Sequence, residues 1–246
     1  MSGLLVIAAL TFFVAMVYSS VGHGGASGYL AVLSFFSFPH ETMAASALCL
    51  NILVSGLSFF VYGKAKFFSW QQAWPFVLAS IPLAFAGGLI KISPSLYAML
   101  LAAALSFAAL RLLMNIDQSR SEELRSPSFA IAVTVGGLIG LLSGVVGVGG
   151  GIFLSPLLIL FRWADPKKTA AISAFFILVN SISGLIGRSL RGSFHLTSGL
   201  SWMVLAAFLG GILGSRLGAH HFSPAWLRRI LAFVLFLAVF KLIRSI

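Results

Sequence analysis

Charged side chains are scarce in this 246-residue chain: 9% of residues are Asp, Glu, Lys or Arg, against about 25% in soluble domains. Acids are scarcer still, 5 against 16 Lys and Arg, giving a formal net charge of +11. A single cysteine, Cys49, excludes an intrachain disulfide framework and a cysteine-ligated metal site. No basic residue precedes Lys64, so the apolar N-terminus lacks the basic start of a cleaved signal peptide, and residues 3–20 read as a retained span. There is no nucleotide-binding loop, and no cofactor or metal motif is expected.

What is present is apolar: 59% of the residues are hydrophobic, with 23 phenylalanines. Stretches 42–63, 67–90, 92–110, 169–187 and 192–215 carry no formal charge. Each is near the roughly 20 residues that a helix needs to cross a bilayer core. The runs are continuous rather than alternating, which selects helices over a closed barrel. The chain therefore reads as an all-α, multi-pass transmembrane bundle, a single membrane domain over 1–246 with no room for a soluble one. The basic residues sit at span ends, where they set topology and meet anionic lipid, so membrane lipid rather than nucleic acid is the expected partner.

Two further uncharged stretches, 1–40 and 126–161, are too long for one helix, at roughly 60 and 54 Å for about 1.5 Å per residue. Each contains a glycine cluster: Val21-Gly22-His23-Gly24-Gly25-Ala26 and Val146-Gly147-Val148-Gly149-Gly150-Gly151. Glycine is about 1 kcal/mol worse than alanine in a helix, so each cluster marks a break. Short apolar segments follow, 26–37 and 152–161. Next come a polar corner (Pro39-His40-Glu41; Asp165-Pro166-Lys167) and a full helix (42–62; 167–187), each with an asparagine, Asn51 or Asn180, and a Ser-Gly pair. A basic, aromatic corner follows, then a helix over about 71–90 or 196–217, read as ending near Gly87-Gly88 or Gly210-Gly211. A last helix opens at Ser93-Pro94 or Ser223-Pro224. This ordered recurrence points to two homologous halves, about 1–114 and 128–246, joined by a polar linker over about 115–127. If the short segments cross the membrane, the halves are inverted and Lys and Arg divide 11 to 5 between the faces; if not, the halves are parallel and the division is 9 to 7. The positive-inside rule favours the sharper division, and either count puts the linker around Arg120 in the cytoplasm.

A duplicated bundle with these breaks resembles the TauE/SafE family of sulfite exporters and sulfur-compound permeases. The resemblance spans essentially the whole chain. It rests on Ser20-Val21-Gly22-His23-Gly24-Gly25 and on the stretch from Ser143-Gly144 through Gly149-Gly150-Gly151 to Ser155-Pro156. The first copy departs at Ala26 and Ala31, which stand where the second has Gly151 and Pro156. The resemblance implies a permease of the bacterial inner membrane that moves a small sulfur-containing anion, such as sulfite, thiosulfate or an organosulfonate. It fixes the class better than the ligand.

The residues themselves point the same way. Glycine lets a backbone turn and approach a ligand, and free amides at a helix start bind anions. Substrate contacts are therefore expected from Gly22, Gly24, Gly25, Gly147, Gly149, Gly150 and Gly151, with Ser20 as a hydroxyl donor. Close helix packing is the competing explanation for such glycines. His23, the one ionisable residue in either cluster, reads either as an anion donor or titrating group, or as a structural histidine bonded to a carbonyl. Asn51 and Asn180 are expected to line the cavity or bond across helices. Glu41 and Asp165 read first as helix caps, and Arg188 and Arg191 as interface markers. No catalytic residue is assigned. An intramembrane serine protease using Ser55, Ser143 or Ser183 with His23 or His195, or a non-transporting scaffold, is the alternative, and self-association is compatible with either.

Overall fold

A computed structural model describes residues 2–113, 124–192, 195–197, 199–220, 235–236, 239–240 and 243. The middle of the linker, the Ser223-Pro224 helix start, and Arg228, Arg229, Lys241 and Arg244 lie outside them. Among the described residues every element is a helix: α1 (Ser2–Ser19), α2 (Ala26–Phe35), α3 (His40–Lys64), α4 (Trp70–Leu89), α5 (Pro94–Leu113), α6 (Phe129–Val146), α7 (Gly151–Leu160), α8 (Pro166–Leu190) and α9 (Leu200–His220). Five of them, α3, α4, α6, α8 and α9, are long and apolar enough to cross a membrane.

The helix starts follow from local chemistry. Asp165 accepts hydrogen bonds from the amides of Lys167 (3.0 Å) and Lys168 (2.9 Å) and is followed by Pro166, whose missing N–H costs nothing in the first turn. Ser128 caps α6 through the amide of Ile131. The two short helices open on glycines with left-handed backbone, Gly25 at φ 95° and Gly150 at φ 80°. An L-residue rarely adopts that conformation, so the glycine fixes where α1 and α6 stop and where α2 and α7 begin.

In lipid, apolar area gives no net attraction between helices, so close backbone approach must hold the seams. Two seams do this with glycines spaced four apart. Gly136, Gly140 and Gly144 of α6 lie against Phe76, Ser80 and Ala84 of α4, and Gly210, Gly214 and Gly218 of α9 against Phe12 and Met16 of α1 and Ser20 just past its end. Residue numbers rise together along both seams, so α6 runs parallel to α4 and α9 parallel to α1. Between the seams, Leu48 meets Gly184, Asn51 meets Ser181 and Gly56 meets Leu178, so α3 and α8 cross antiparallel. The expected helix end near Gly210-Gly211 is corrected here. Those glycines lie mid-helix because they pack α9 on its neighbours, and α9 continues to His220.

The two breaks lie in the middle of this frame. Tyr62, near the end of α3, donates to the carbonyl of Ser20 (2.9 Å), whereas mid-helix Asn51 accepts from the amide of Ala26 (3.1 Å). The chain therefore leaves α1 at the level of the end of α3, descends through the glycine cluster to its middle, and continues as α2 toward its start. Every residue of α2 from Ala26 to Ser34 is buried; the helix carries no charge, and its serines are hydrogen-bonded, Ser27 with Tyr18 and Ser34 to Ala31 O. Lipid-sized apolar side chains such as Phe60, Leu138, Leu190 and Trp202 cover the outer surface instead.

Candidate functional site

Asn51 joins the two glycine clusters. Its Oδ1 accepts from Ala26 N, the first amide of α2. Its Nδ2 donates to the carbonyl of Val148 (3.3 Å), inside the second cluster, and to Ser181 Oγ (3.0 Å) on α8. Gly24 packs on Oδ1 and Gly149 on Nδ2, so a methyl group at either position would overlap the amide. Both amide hydrogens and the carbonyl oxygen are thus engaged within the protein. Asn180 behaves differently. It lies about one helical turn deeper into α8 than Asn51 does into α3, and its Nδ2 donates to its own helix at Phe176 O (2.9 Å). Its Oδ1 is buried without a hydrogen-bond partner among the described residues.

A narrow pocket, about the room of one water molecule, opens beside Asn51, lined by Tyr18, His23, Gly24, Gly25, Ala26, Ser27, Asn51, Val148, Ile152 and Ile177. None of these carries a fixed charge. The pocket meets the start of α2, where the amides of Ser27 and Gly28 find no acceptor among the described residues, and the first turn of α7 at Ile152. Tyr18 and Ser27 share a hydrogen bond of 2.6 Å at its wall. The hydroxyl of Tyr29, fully buried beside Gly25, has no partner among the described residues.

His23 reaches across to the other half of the chain. Its Nδ1 lies 3.0 Å from the carbonyl of Val21, and its Nε2 lies 3.0 Å from Ser155 Oγ of α7, which is 2.7 Å from Ser173 Oγ of α8. No carboxylate orients the imidazole in that contact, unlike a serine-nucleophile triad. Two of the three serines named for an enzyme are otherwise engaged: Ser55 donates to its own helix at Asn51 O (2.6 Å) and Ser183 to Ile81 O (2.6 Å). Ser143 is fully buried with no partner among the described residues.

Several glycines of the clusters meet protein rather than the pocket. Gly22 lies against the backbone of Ala170, and Gly147 against Ala44. A side chain at Gly150 would point at Ile139 and Phe176. Ser20, just past the end of α1, donates to Val17 O (2.7 Å) in its last turn. Gly24, Gly25, His23 and Asn51 are brought together; Asn180, Ser20, Gly150 and Gly22 are not among the lining residues. Tyr18, Ser27, Ile152 and Ile177 line the pocket without having been singled out from sequence.

Arg188 corrects an expectation. Rather than marking the interface, it is 1% exposed and its Nη2 donates to the carbonyls of Gly144 (3.1 Å) and Val145 (2.5 Å) at the end of α6. Tyr97 donates to the next carbonyl, Val146 O (3.1 Å). A cation and a hydroxyl there complement the negative end of the α6 dipole just before the second cluster. Arg191 instead bonds Ile90 O and lies 4.0 Å from Glu41.

Comparison with known proteins agrees with this architecture. Over 239 residues the chain is 31% identical to a probable membrane transporter protein, y4hK, of Sinorhizobium fredii, covering 96% of both chains. It is 29% identical over 86 residues to a probable membrane transporter protein, YunE, of Bacillus subtilis, covering 35% of this chain and 31% of that one. It is 34% identical over 102 residues to the sulfite exporter TauE/SafE family protein 2 of Arabidopsis thaliana, covering 42% of this chain and 20% of that one. No solved structure matches. Residues 7–242 match the family described as sulfite exporter TauE/SafE, so this chain belongs to the TauE/SafE family of multi-pass membrane transporters, which is not an enzyme family.

Proposed function

We propose that the protein carries a small sulfur-containing anion (sulfite, thiosulfate or an organosulfonate) across the membrane by alternating access, with the anion held where the two glycine clusters meet. The observation that carries this reading is the pocket at the start of α2. The amide of Ser27, without an acceptor among the described residues, sits there at the positive end of a helix dipole, with no fixed charge among the lining residues. Uncharged donors can hold an oxyanion without the grip of an ion pair. The alkyl walls of Val148, Ile152 and Ile177 suit an anion with an organic or sulfur face. The sulfite exporter named in the family description supports the sulfur chemistry.

In this reading the chain is two halves, about 1–114 and 128–246, related by inversion, with the linker of about 115–127 in the cytoplasm. The parallel α1–α9 and α4–α6 seams and the antiparallel α3–α8 crossing support it, because exchanging the halves reproduces the same set of neighbours. Rocking of one half against the other about the Asn51 contacts would open the pocket to each side in turn. The test is counterflow of ³⁵S-labelled sulfite, thiosulfate and taurine in liposomes holding the purified protein. Accumulation of at least one label driven by the same anion inside is expected. No accumulation above protein-free liposomes for any of them would defeat the reading.

A further inference from the structure

We propose that His23 is the binding site of a proton co-transported with the anion, and that Ser155 and Ser173 form the hydroxyl chain that adjusts to it. This deepens the transport reading above and rests on it.

The argument starts from donor and acceptor chemistry. A carbonyl only accepts, so His23 Nδ1, 3.0 Å from Val21 O, carries hydrogen. In the neutral ring Nε2 is then the acceptor, and Ser155 Oγ at 3.0 Å must donate to it. Ser155 has one hydroxyl hydrogen, so at 2.7 Å Ser173 must donate to Ser155. The chain has a single polarity: Ser173 to Ser155 to His23. When a hydronium ion gives its proton to Nε2, a new N–H bond forms and water leaves. Nε2 then donates to Ser155, whose hydrogen rotates away toward Ser173. Both protonation states keep a partner for every ring nitrogen, and hydroxyl rotation is the only rearrangement required. Imidazole is also the side chain whose charge changes between pH 5 and 8.

Among the described residues around it, His23 is the group whose charge changes near neutral pH. Helix α1 presents Tyr18, whose ring lies 6.3 Å from the imidazole. Helices α1, α2 and α7 contain no Asp, Glu, Lys or Arg. Helix α3 faces it with Asn51 and carries charge only at its ends, Glu41 and Lys64. Helix α8 faces it with Ser173 and Ile177, with Lys167, Lys168 and Arg188 near its ends, and the charge of α9 is Arg216. Lys167 is directed elsewhere, onto the carbonyls of Gly218 and Ala219. An anion in this pocket has no fixed countercharge, and burying an isolated charge is costly. A proton on His23 supplies one positive countercharge and lowers the charge carried with the anion by one unit.

Linkage makes the test direct, because a proton that favours the anion must be favoured by it. Thiosulfate takes up no proton near neutrality and serves as the probe. In weakly buffered detergent solution, thiosulfate should draw about one proton per bound anion, and its affinity should fall up to tenfold per pH unit on the alkaline limb. His23→Gln keeps a neutral polar side chain and should bind with a pH-independent affinity and no proton uptake. Thiosulfate binding with the same pH independence and no proton uptake in wild type would overturn the proposal while leaving the transport reading intact. If no thiosulfate binds, nuclear magnetic resonance of ¹⁵N-histidine protein decides it, with His23→Gln assigning the signal. A His23 ring that titrates, with a midpoint moved by Ser155→Ala, supports the proton site. A ring that holds one neutral form from pH 5 to 9 overturns it.

Discussion

Replacing Asn51 by alanine should loosen the junction between the two glycine clusters far more than the same change at Asn180. The side chain makes three hydrogen bonds, to Ala26 N, Val148 O and Ser181 Oγ, and is 1% exposed. Buried interhelical hydrogen bonds in membranes average about 0.6 kcal/mol each. An unpaired buried group costs about 1–3 kcal/mol more. The amide of Ala26 and the carbonyl of Val148 both border the pocket, where water can reach them, so only part of that penalty applies. The expected loss is about 2–4 kcal/mol, or roughly 5–10 °C in Tm if soluble-protein scaling holds. Cys49, half-buried on the same helix, permits the measurement by a thiol-reactive dye during heating, since the chain has no other thiol. Asn180→Ala is the control: its amide bonds only its own helix, and the change should cost under about 1 kcal/mol. Equal Tm shifts for the two variants, or none for Asn51→Ala, would refute Asn51 as the junction.

Gly144→Ala should destabilise by about 1–3 kcal/mol because its methyl would meet Ala84 O across the α4–α6 seam, whereas Gly56→Ala, with Leu178 at 3.8 Å, should be neutral or stabilising by up to about 1 kcal/mol; thermal unfolding of the pair checks both. Gly150→Leu should fail as a folded protein, since the added side chain meets Ile139 and Phe176 in a left-handed backbone; size-exclusion chromatography will show aggregation, and a monodisperse variant would contradict this. Arg188→Met leaves the carbonyls of Gly144 and Val145 without their donor and should cost about 1–3 kcal/mol, with Arg188→Lys intermediate, read from the same melting curves. Cysteine at Ser126 in a Cys49→Ala background should be labelled by an impermeant maleimide only after the cells are opened; labelling of intact cells would invert the proposed topology.

The helical membrane class was legible because charge is confined to span ends, and the short helices were legible because glycine clusters interrupt stretches too long for one span. Helices α2 and α7 open at Ala26 and Gly151, directly after those clusters. Other features depend on which helices meet, and spacing along one helix does not specify that. Asn51 and Asn180 look alike in sequence, yet one joins two clusters and the other bonds its own helix turn. Ser155 meets His23 from 132 positions away. Arg188 resembles its neighbour Arg191, but the α6 terminus draws it inward. Gly210 was open to misreading because a helix end and a packing seam both call for glycine, and only the neighbouring α1 decides between them.

The most direct test of the site is to locate a bound anion. Selenate, a heavy analogue of a sulfur oxyanion, can be soaked into crystals of the purified protein and placed by its anomalous signal. The account predicts one site between the two glycine clusters, with oxygens within hydrogen-bond reach of the amide of Ser27 and near the His23 ring. Selenate that competes with the transported anion in liposomes, yet binds in the crystal away from this pocket, would contradict it.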